Sequence, residues 1–484
     1  MATWVNSVKS EKQWMEVPKM SRHALQLTDE QMRDFIINGY VKIKPDFPPN
    51  FHENIYEQLN AMFERTGNLG NNVLPLIPEM QEIFDHPMVH GAMQGVLGSD
   101  YVMHPHRYCH YNPEGSDGQG FHKDTYEGDE QIRRHRCRWT MAFYYPQDVT
   151  EDMGPTAVLP GSQYYETGES AHEQPDLSLC GEAGTVTIVH YDLWHRATPN
   201  RSDKKRYMVK FLFSRLGEPQ NPAWQSDTAN WQHDEAPEHP ELWESLWDWY
   251  YGKQNGIANG VSHAEVDTLI ETLDSDNERE RLNAAYRLGR IGADAVPTLK
   301  QALHGKSDAI RNYAGYALSL TGASAVPTLI DALQATDDSI RGTAAYTLAD
   351  MGKTAQEAMP ALTHAAQDTS EWVRRHATEG LGLIGQQVSE DMDLSETVQV
   401  LTDGLADDYY WIRDNAARAL AKLGTRAEPA IPTLVEQLED QNRYVRFHAA
   451  LALKEIQTPE AQDALFNHLF TSRWCELTTR GTPY

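Results

Sequence analysis

The sequence predicts a chain in two parts: a β-rich antiparallel sandwich or barrel with flanking helices, then an α-solenoid. Three observations carry this. At 484 residues the chain exceeds the roughly 250 to 300 at which a single core stops growing, so two or more domains are expected. Before about residue 216, short runs rich in β-branched and aromatic residues alternate with turn clusters. From Val266 onward the sequence repeats itself with helical periodicity.

The first half opens with "LTDEQMRDFIINGYVKIK", read as a capped helix and then a strand: Thr28 precedes acids in the first turn and Gly39 ends the periodic run. After about residue 100 come "YVMHPHRYCHY", "CRWTMAFYYP", "PTAVLPG", "GTVTIVHYDLW" and "RYMVKFLFSRL", separated by clusters such as "NPEGSDGQG" and "TEDMGPT". These are the expected strands. Between the halves, residues 217–262 begin Pro, Asn and acid rich, then place Trp243, Leu246, Trp247 and Tyr250 at helical spacing. That stripe reads as a helix docking the solenoid onto the barrel, with an aromatic ligand box as the alternative.

In the second half, "VPTLKQAL", "VPTLIDAL", "MPALTHAA" and "IPTLVEQL" begin helices, each followed by a second pattern such as "IRNYAGYALSLTG" or "IRDNAARALAKLG". Arg281, Arg311, Arg341, Arg374, Arg413 and Arg446 recur every 30 to 39 residues. Such helix pairs bury their apolar stripes only by stacking on neighbours. They resemble HEAT-like repeats, which implies architecture more than function. No His-Glu pair follows residue 263, so His263, His304, His364, His376, His448 and His468 read as surface or packing histidines. The expected domains are 1–216, 217–262 and 263–484.

Composition narrows the function. Forty-two Lys and Arg against 70 Asp and Glu give a net charge of −28, which repels a phosphate backbone and argues against nucleic acid. Cys109, Cys137, Cys180 and Cys475 form no C-x-x-C pair and read as reduced thiols. No apolar run reaches the roughly 18 residues of a membrane span, and "MATWVNSVKSEKQWMEV" lacks an apolar signal core. A cytoplasmic protein is expected.

Two His-x-Asp triplets compete to open an iron site, His122-Lys123-Asp124 and His190-Tyr191-Asp192. A two-histidine, one-carboxylate face needs His and Asp two apart on a strand plus a later His on another. After the second triplet's own neighbour His195, the next histidines, His233 and His239, lie in the polar linker, so that triplet reads as strand-end and turn residues. His122, Asp124 and His195 are the expected metal ligands. Arg206 lies eleven residues after His195 and opens a strand; a buried guanidinium there suits the far carboxylate of 2-oxoglutarate.

"LTDEQMRDFIINGYVKI", "HKD", "WTMAFYY", "MGPTAVLPGSQ" and "LWHRATPNRSDKKR" together resemble the phytanoyl-CoA dioxygenase family of Fe(II)/2-oxoglutarate oxygenases, over roughly residues 25 to 216. The resemblance implies a double-stranded β-helix (jelly-roll or cupin-like) fold, with Fe(II) on His122, Asp124 and His195, 2-oxoglutarate on Arg206, and O2 as oxidant. It also places Trp139 and His106 against the cosubstrate. Relatives often carry a hydroxyl residue two after the distal His, where this chain has Ala197.

The reaction implied is hydroxylation of an aliphatic C–H of a small molecule; because Asp124 is present, no position is vacated for a halide. Desaturation, cyclisation and epimerisation stay open. Arg133, Arg134, Arg136 and Arg138 could receive an anionic substrate group or could form a solvated sheet face. The repeats are expected to shape substrate access or to mediate assembly, through a protein partner or self-association. The alternative is a HEAT-repeat scaffold carrying an inactive oxygenase-like domain.

Overall fold

Thr28 caps helix α1 (Asp29–Asn38): its hydroxyl accepts from the Gln31 amide, and the Gln31 side chain accepts from the Thr28 amide. Gly39, at φ 78°, closes the helix in the left-handed region and turns the chain into β1 (Tyr40–Ile43). The computed structural model describes residues 25–48, 50–68, 70–124, 135–171, 175–232, 237–253 and 263–471.

After β1 come four flanking helices, α2 (Phe51–Thr66), α3 (Val73–Leu76), α4 (Met80–Asp85) and α5 (Pro87–Leu97). The strands follow: β2 (Val102–Asn112), β3 (Trp139–Tyr144) and β4 (Thr156–Val158). A short α6 (Gly168–Ala171) precedes β5 (Leu177–Ser178), β6 (Val186–His190), β7 (His195–Ala197) and β8 (Arg206–Ser214). They form two antiparallel sheets, β1-β6-β3-β8-β2 and β5-β4-β7. This is the double-stranded β-helix.

β8 is buried along all nine residues because both its faces are covered. On one side Phe211 and Phe213 pack on Phe84 of α4, and Tyr207 on Tyr56 and Phe63 of α2. On the other, Met208 and Leu212 join Met141, Phe143, Val189 and Leu193 in the interior of the β-domain. The helices α2 to α5 thus back the sheet that carries the site.

α7 (Pro240–Tyr250) packs against α1 and the solenoid helix α9. Its fully buried Trp247 lies among Trp224, Trp231 and Tyr251, and Trp224 donates to Asp29 at 2.7 Å. The aromatic stripe is spent on packing.

Beyond it the helices alternate. The even-numbered set is α8 (His263–Thr272), α10 (Val296–Leu303), α12 (Val326–Ala332), α14 (Met359–Ala365), α16 (Ser395–Gly404), α18 (Ile431–Gln437) and α20 (Pro459–Thr471). The odd set is α9 (Glu278–Ile291), α11 (Asp308–Leu320), α13 (Asp338–Met351), α15 (Glu371–Gly385), α17 (Tyr410–Leu423) and α19 (Arg443–Ile456). The recurring arginines have one local task. Each donates to the carbonyl six residues earlier: Arg281 to Ser275, Arg311 to Gly305, Arg341 to Ala335, Arg374 to Asp368, Arg413 to Asp407 and Arg446 to Asp440. Arg341, Arg374 and Arg413 also fork onto Asp368, Asp407 and Asp440 of the following turn, which stitches repeat to repeat.

The odd helices meet the β-domain. Buried Glu278 accepts from the Glu166 and Thr167 amides and the Thr167 and Tyr313 hydroxyls. His135 pairs with the Tyr286 hydroxyl at 2.8 Å, and Lys422 donates to the Leu216 carbonyl. Arg138 forks onto Glu218 at 2.7 and 3.0 Å and reaches Asp350 at 3.0 Å; Arg136 donates to the Asp350 carbonyl. These two arginines are therefore neither an anion receptor nor a solvated face. Arg133 and Arg134 lie outside the described residues.

Candidate metal centre

His122 and His195 face each other in an antiparallel bridge at the edge of the smaller sheet, each amide donating to the other's carbonyl at 3.0 Å. Residues directly opposite in such a pair project to the same side, and so does a residue two further along an extended chain. Asp124 accordingly joins them: its carboxylate is 3.4 Å from His195 Nε2 and 3.9 Å from His122 Nε2. One donor atom from each of the three lies within 4.8 Å of the others, a set that could hold a metal ion.

The ring orientation follows from the backbone. His122 Nδ1 meets the Gly120 carbonyl at 3.0 Å and His195 Nδ1 meets Leu193 at 2.9 Å. A carbonyl only accepts, so both Nδ1 atoms carry the proton and both Nε2 lone pairs face the carboxylate. Phe143 packs 5.7 Å from the His195 ring and closes that side with apolar surface.

Lys210 was not legible as a site residue. It lies four residues after Arg206 on β8, buried, with Nζ 2.5 Å from Asp124 Oδ2. Burial alone pushes the Asp124 carboxyl up; the neighbouring His195 and the Lys210 ammonium, which donates to it, outweigh burial and hold the group well below the usual carboxylate range. The Asp124 side chain is therefore ionised near neutral pH.

Arg206 is fully buried and opens β8 opposite Asn112 of β2. Its Nε and one terminal nitrogen donate to the Gly154 carbonyl at 2.9 and 2.5 Å, and the other terminal nitrogen is buried without a partner. Gly154 has φ 69°, and a Cβ there would meet the Asn112 side chain, so only glycine presents that carbonyl. Among the described residues no carboxylate pairs with the guanidinium, and burial depresses its pKa. A buried cation without a counter-ion is costly unless an anion completes it.

His110, also absent from the sequence reading, sits opposite Met208 and thus between the Arg206 and Lys210 positions of β8. Burial first, then the charge of Lys210, pushes its pKa down to about 3, and its buried Nε2 has no partner. The signal was present: His110 and Asn112 share strand parity with the basic residues opposite. The other two expected residues, His106 and Trp139, each meet the solenoid. His106 Nδ1 pairs with the Tyr444 hydroxyl of α19 at 2.9 Å. Trp139 packs on His104 and Tyr191 and lies under Arg418 of α17. His190 ends β6 and its Nδ1 accepts from the Asp192 amide, outside the three-residue cluster.

Residues 52–208 match the family model for phytanoyl-CoA dioxygenase (PhyH), and three overlapping segments, 266–349, 326–421 and 398–474, match HEAT repeats. The chain carries a PhyH domain followed by HEAT repeats. Among curated relatives, dioxygenase andF of Emericella variicolor is 25% identical over 138 residues, 26% of this chain and 46% of that protein. Phycocyanobilin lyase subunit alpha of Thermosynechococcus vestitus is 34% identical over 103 residues, 20% of this chain and 37% of that protein. The chain thus matches less than half the length of either. Similar solved structures include SnoK, a non-haem α-ketoglutarate-dependent carbocyclase of nogalamycin biosynthesis, with a TM-score of 0.34 and 17% identity over 40% of this chain and 85% of that one. EctD from S. alaskensis has a TM-score of 0.35 and 16% identity over 42% and 82%. The PhyH domain and the His-Asp-His cluster support a dioxygenase-like function. No helix among the described residues is long and apolar enough to cross a membrane.

Proposed function

We propose that the chain is an Fe(II)/2-oxoglutarate-dependent dioxygenase that hydroxylates an aliphatic C–H of a small molecule. The observation that carries this reading is the cluster of His122, Asp124 and His195, with both Nε2 lone pairs turned to an ionised carboxylate. His122, Asp124 and His195 would hold the metal through two nitrogens and one carboxylate oxygen, which would leave room for cosubstrate and oxygen. The cosubstrate fits as well: the unpartnered Arg206 nitrogen and His110 Nε2 are buried donors that a distal carboxylate would satisfy.

In this reading iron and 2-oxoglutarate, when bound, supply the oxidising power: O2 is consumed, 2-oxoglutarate becomes succinate and CO2, and C–H becomes C–OH. The protein's own residues do the rest. His122, Asp124 and His195 hold the metal, and Lys210 keeps Asp124 charged and in place. Arg206 grips the far carboxylate. Met141, Phe143, Met208 and Leu212 line the interior with apolar surface that excludes water. The Arg136 and Arg138 pairings remove those two arginines as an argument for an anionic substrate. The odd-helix face of the repeats is taken by the β-domain, so a protein partner would meet the even-numbered helices.

The test is anaerobic titration of Fe(II) and 2-oxoglutarate into the purified chain, followed by the visible charge-transfer absorption of the chelate. A saturable band in the wild type that is lost in His122→Ala supports the reading. A wild type with no band would return the chain to the scaffold alternative.

A further inference from the structure

The solenoid helix α19 packs against β2, one of the strands that carry the site. Tyr444, in the first turn of α19, bonds His106 Nδ1 through its hydroxyl at 2.9 Å. Its ring also packs 4.8 Å from His104, which further contacts Phe447 and His448 of the same helix at 5.6 and 5.5 Å. One helix back, the Arg418 guanidinium lies 5.3 Å over Trp139 at the start of β3. Residues 338 positions apart in sequence thus share one wall.

That wall lies beside the cluster: β2 pairs with β8 with Arg107 opposite Phe211 and Tyr108 opposite Lys210, so His106 sits next to the segment whose Lys210 bonds Asp124. The charges of Lys210 and Asp124 both act on the His106 ring, as does that of Arg443, which itself stacks 5.1 Å over Tyr444. Burial is the larger influence and holds His106 neutral, with a pKa near 4. A hydrogen bond at Nδ1 holds the ring in one rotamer, whichever partner donates. Tyr444 is the group that makes that bond.

We infer that the oxygenase pocket is composite, with the solenoid helix α19 as its outer wall and Tyr444 as a positioning residue that fixes the rotamer of His106. This rests on the oxygenase reading above. The repeats are then a part of the site, and docking of α19 sets the geometry that cosubstrate and substrate meet. An interdomain hydrogen bond made elsewhere provides a control. Tyr316 of α11 donates to Glu166 at 3.2 Å on a β-domain loop that carries none of the site residues.

The experiment uses full-length protein in four forms: Tyr444→Phe, His106→Ala, the double variant, and Tyr316→Phe as control. Two quantities are read, the 2-oxoglutarate dissociation constant from the charge-transfer band and succinate formation without added substrate. Tyr444→Phe removes one oxygen and keeps the packing. Losing that hydrogen bond is expected to change the constant or the rate by roughly fivefold or more. In the His106→Ala background the same change is expected to do nothing further. Tyr316→Phe should match the wild type in both quantities. A wild-type-like Tyr444→Phe, additive effects in the double variant, or an equal effect from Tyr316→Phe would each overturn the inference while leaving the oxygenase reading intact. A wild type without the band overturns both.

Discussion

Replacing Arg138 with alanine tests whether the basic cluster is a bolt between domains. The guanidinium is 5% exposed; it makes two charge-assisted hydrogen bonds to Glu218 and one to Asp350, and lies 5.7 Å over Trp249. Glu218 accepts in addition from Trp249 Nε1 at 3.0 Å. Burial pushes Arg138 towards neutrality, but the two carboxylates more than reverse it; the same guanidinium holds Glu218 well below the usual range against its own burial. Removing one partner of such a buried pair leaves an uncompensated charge and costs about 3 to 5 kcal/mol. Arg138→Met with Glu218→Gln removes both charges, so its cost should fall short of the sum of the single changes by about 1 to 3 kcal/mol. Trp249 under the guanidinium makes tryptophan fluorescence in a urea titration the natural assay. A cost below about 1 kcal/mol for Arg138→Ala would refute the bolt.

Acid should loosen the same interface through His135. Its ring is buried among Tyr164, Tyr286 and Tyr316, and burial pushes its pKa down to about 3. The unfolded chain takes up that proton first as pH falls below about 6.5, so the stability is present above that value and lost on descending towards 3, at about 1.4 kcal/mol per pH unit. Thermal melts of His135→Gln between pH 7 and 5 should show a shallower dependence than the wild type; identical slopes would remove His135 from the account. Arg206→Ala should weaken 2-oxoglutarate binding by about 10- to 150-fold, the worth of one charge-assisted hydrogen bond at about 1.5 to 3 kcal/mol. Fe(II) affinity should hold, Arg206→Lys should recover part of the loss, and unchanged cosubstrate binding in Arg206→Ala would displace Arg206 from its role.

What could be read in advance depended on whether a residue's partner lies nearby in sequence. The capping box of Thr28 and Gln31 and the stop at Gly39 are short-range devices and stand in the structure as the sequence spells them. The repeat arginines bond a carbonyl six residues back, so their period was visible even though that bond was not. His122 and Asp124 declare themselves by strand parity, and the distance to His195 follows from a sheet that folds back. The rest hangs on pairings that no local pattern encodes. Arg138 finds Glu218 and Asp350 at separations of 80 and 212 residues. Lys210 reads as one more strand residue until Asp124 arrives beside it. β5 and β7, at two and three residues, are too short to show alternation, and α2 to α5 fall in a stretch whose helical role is to cover the outer face of β8.

The central claim is that His122, Asp124 and His195 form a working iron site fed by 2-oxoglutarate. It is tested most directly by oxygen-dependent succinate formation in purified protein supplied with Fe(II) and 2-oxoglutarate, beside the His122→Ala variant. The account predicts succinate from the wild type and none above background from the variant. Equal succinate from both, or none from a wild type that binds neither iron nor cosubstrate, would contradict it.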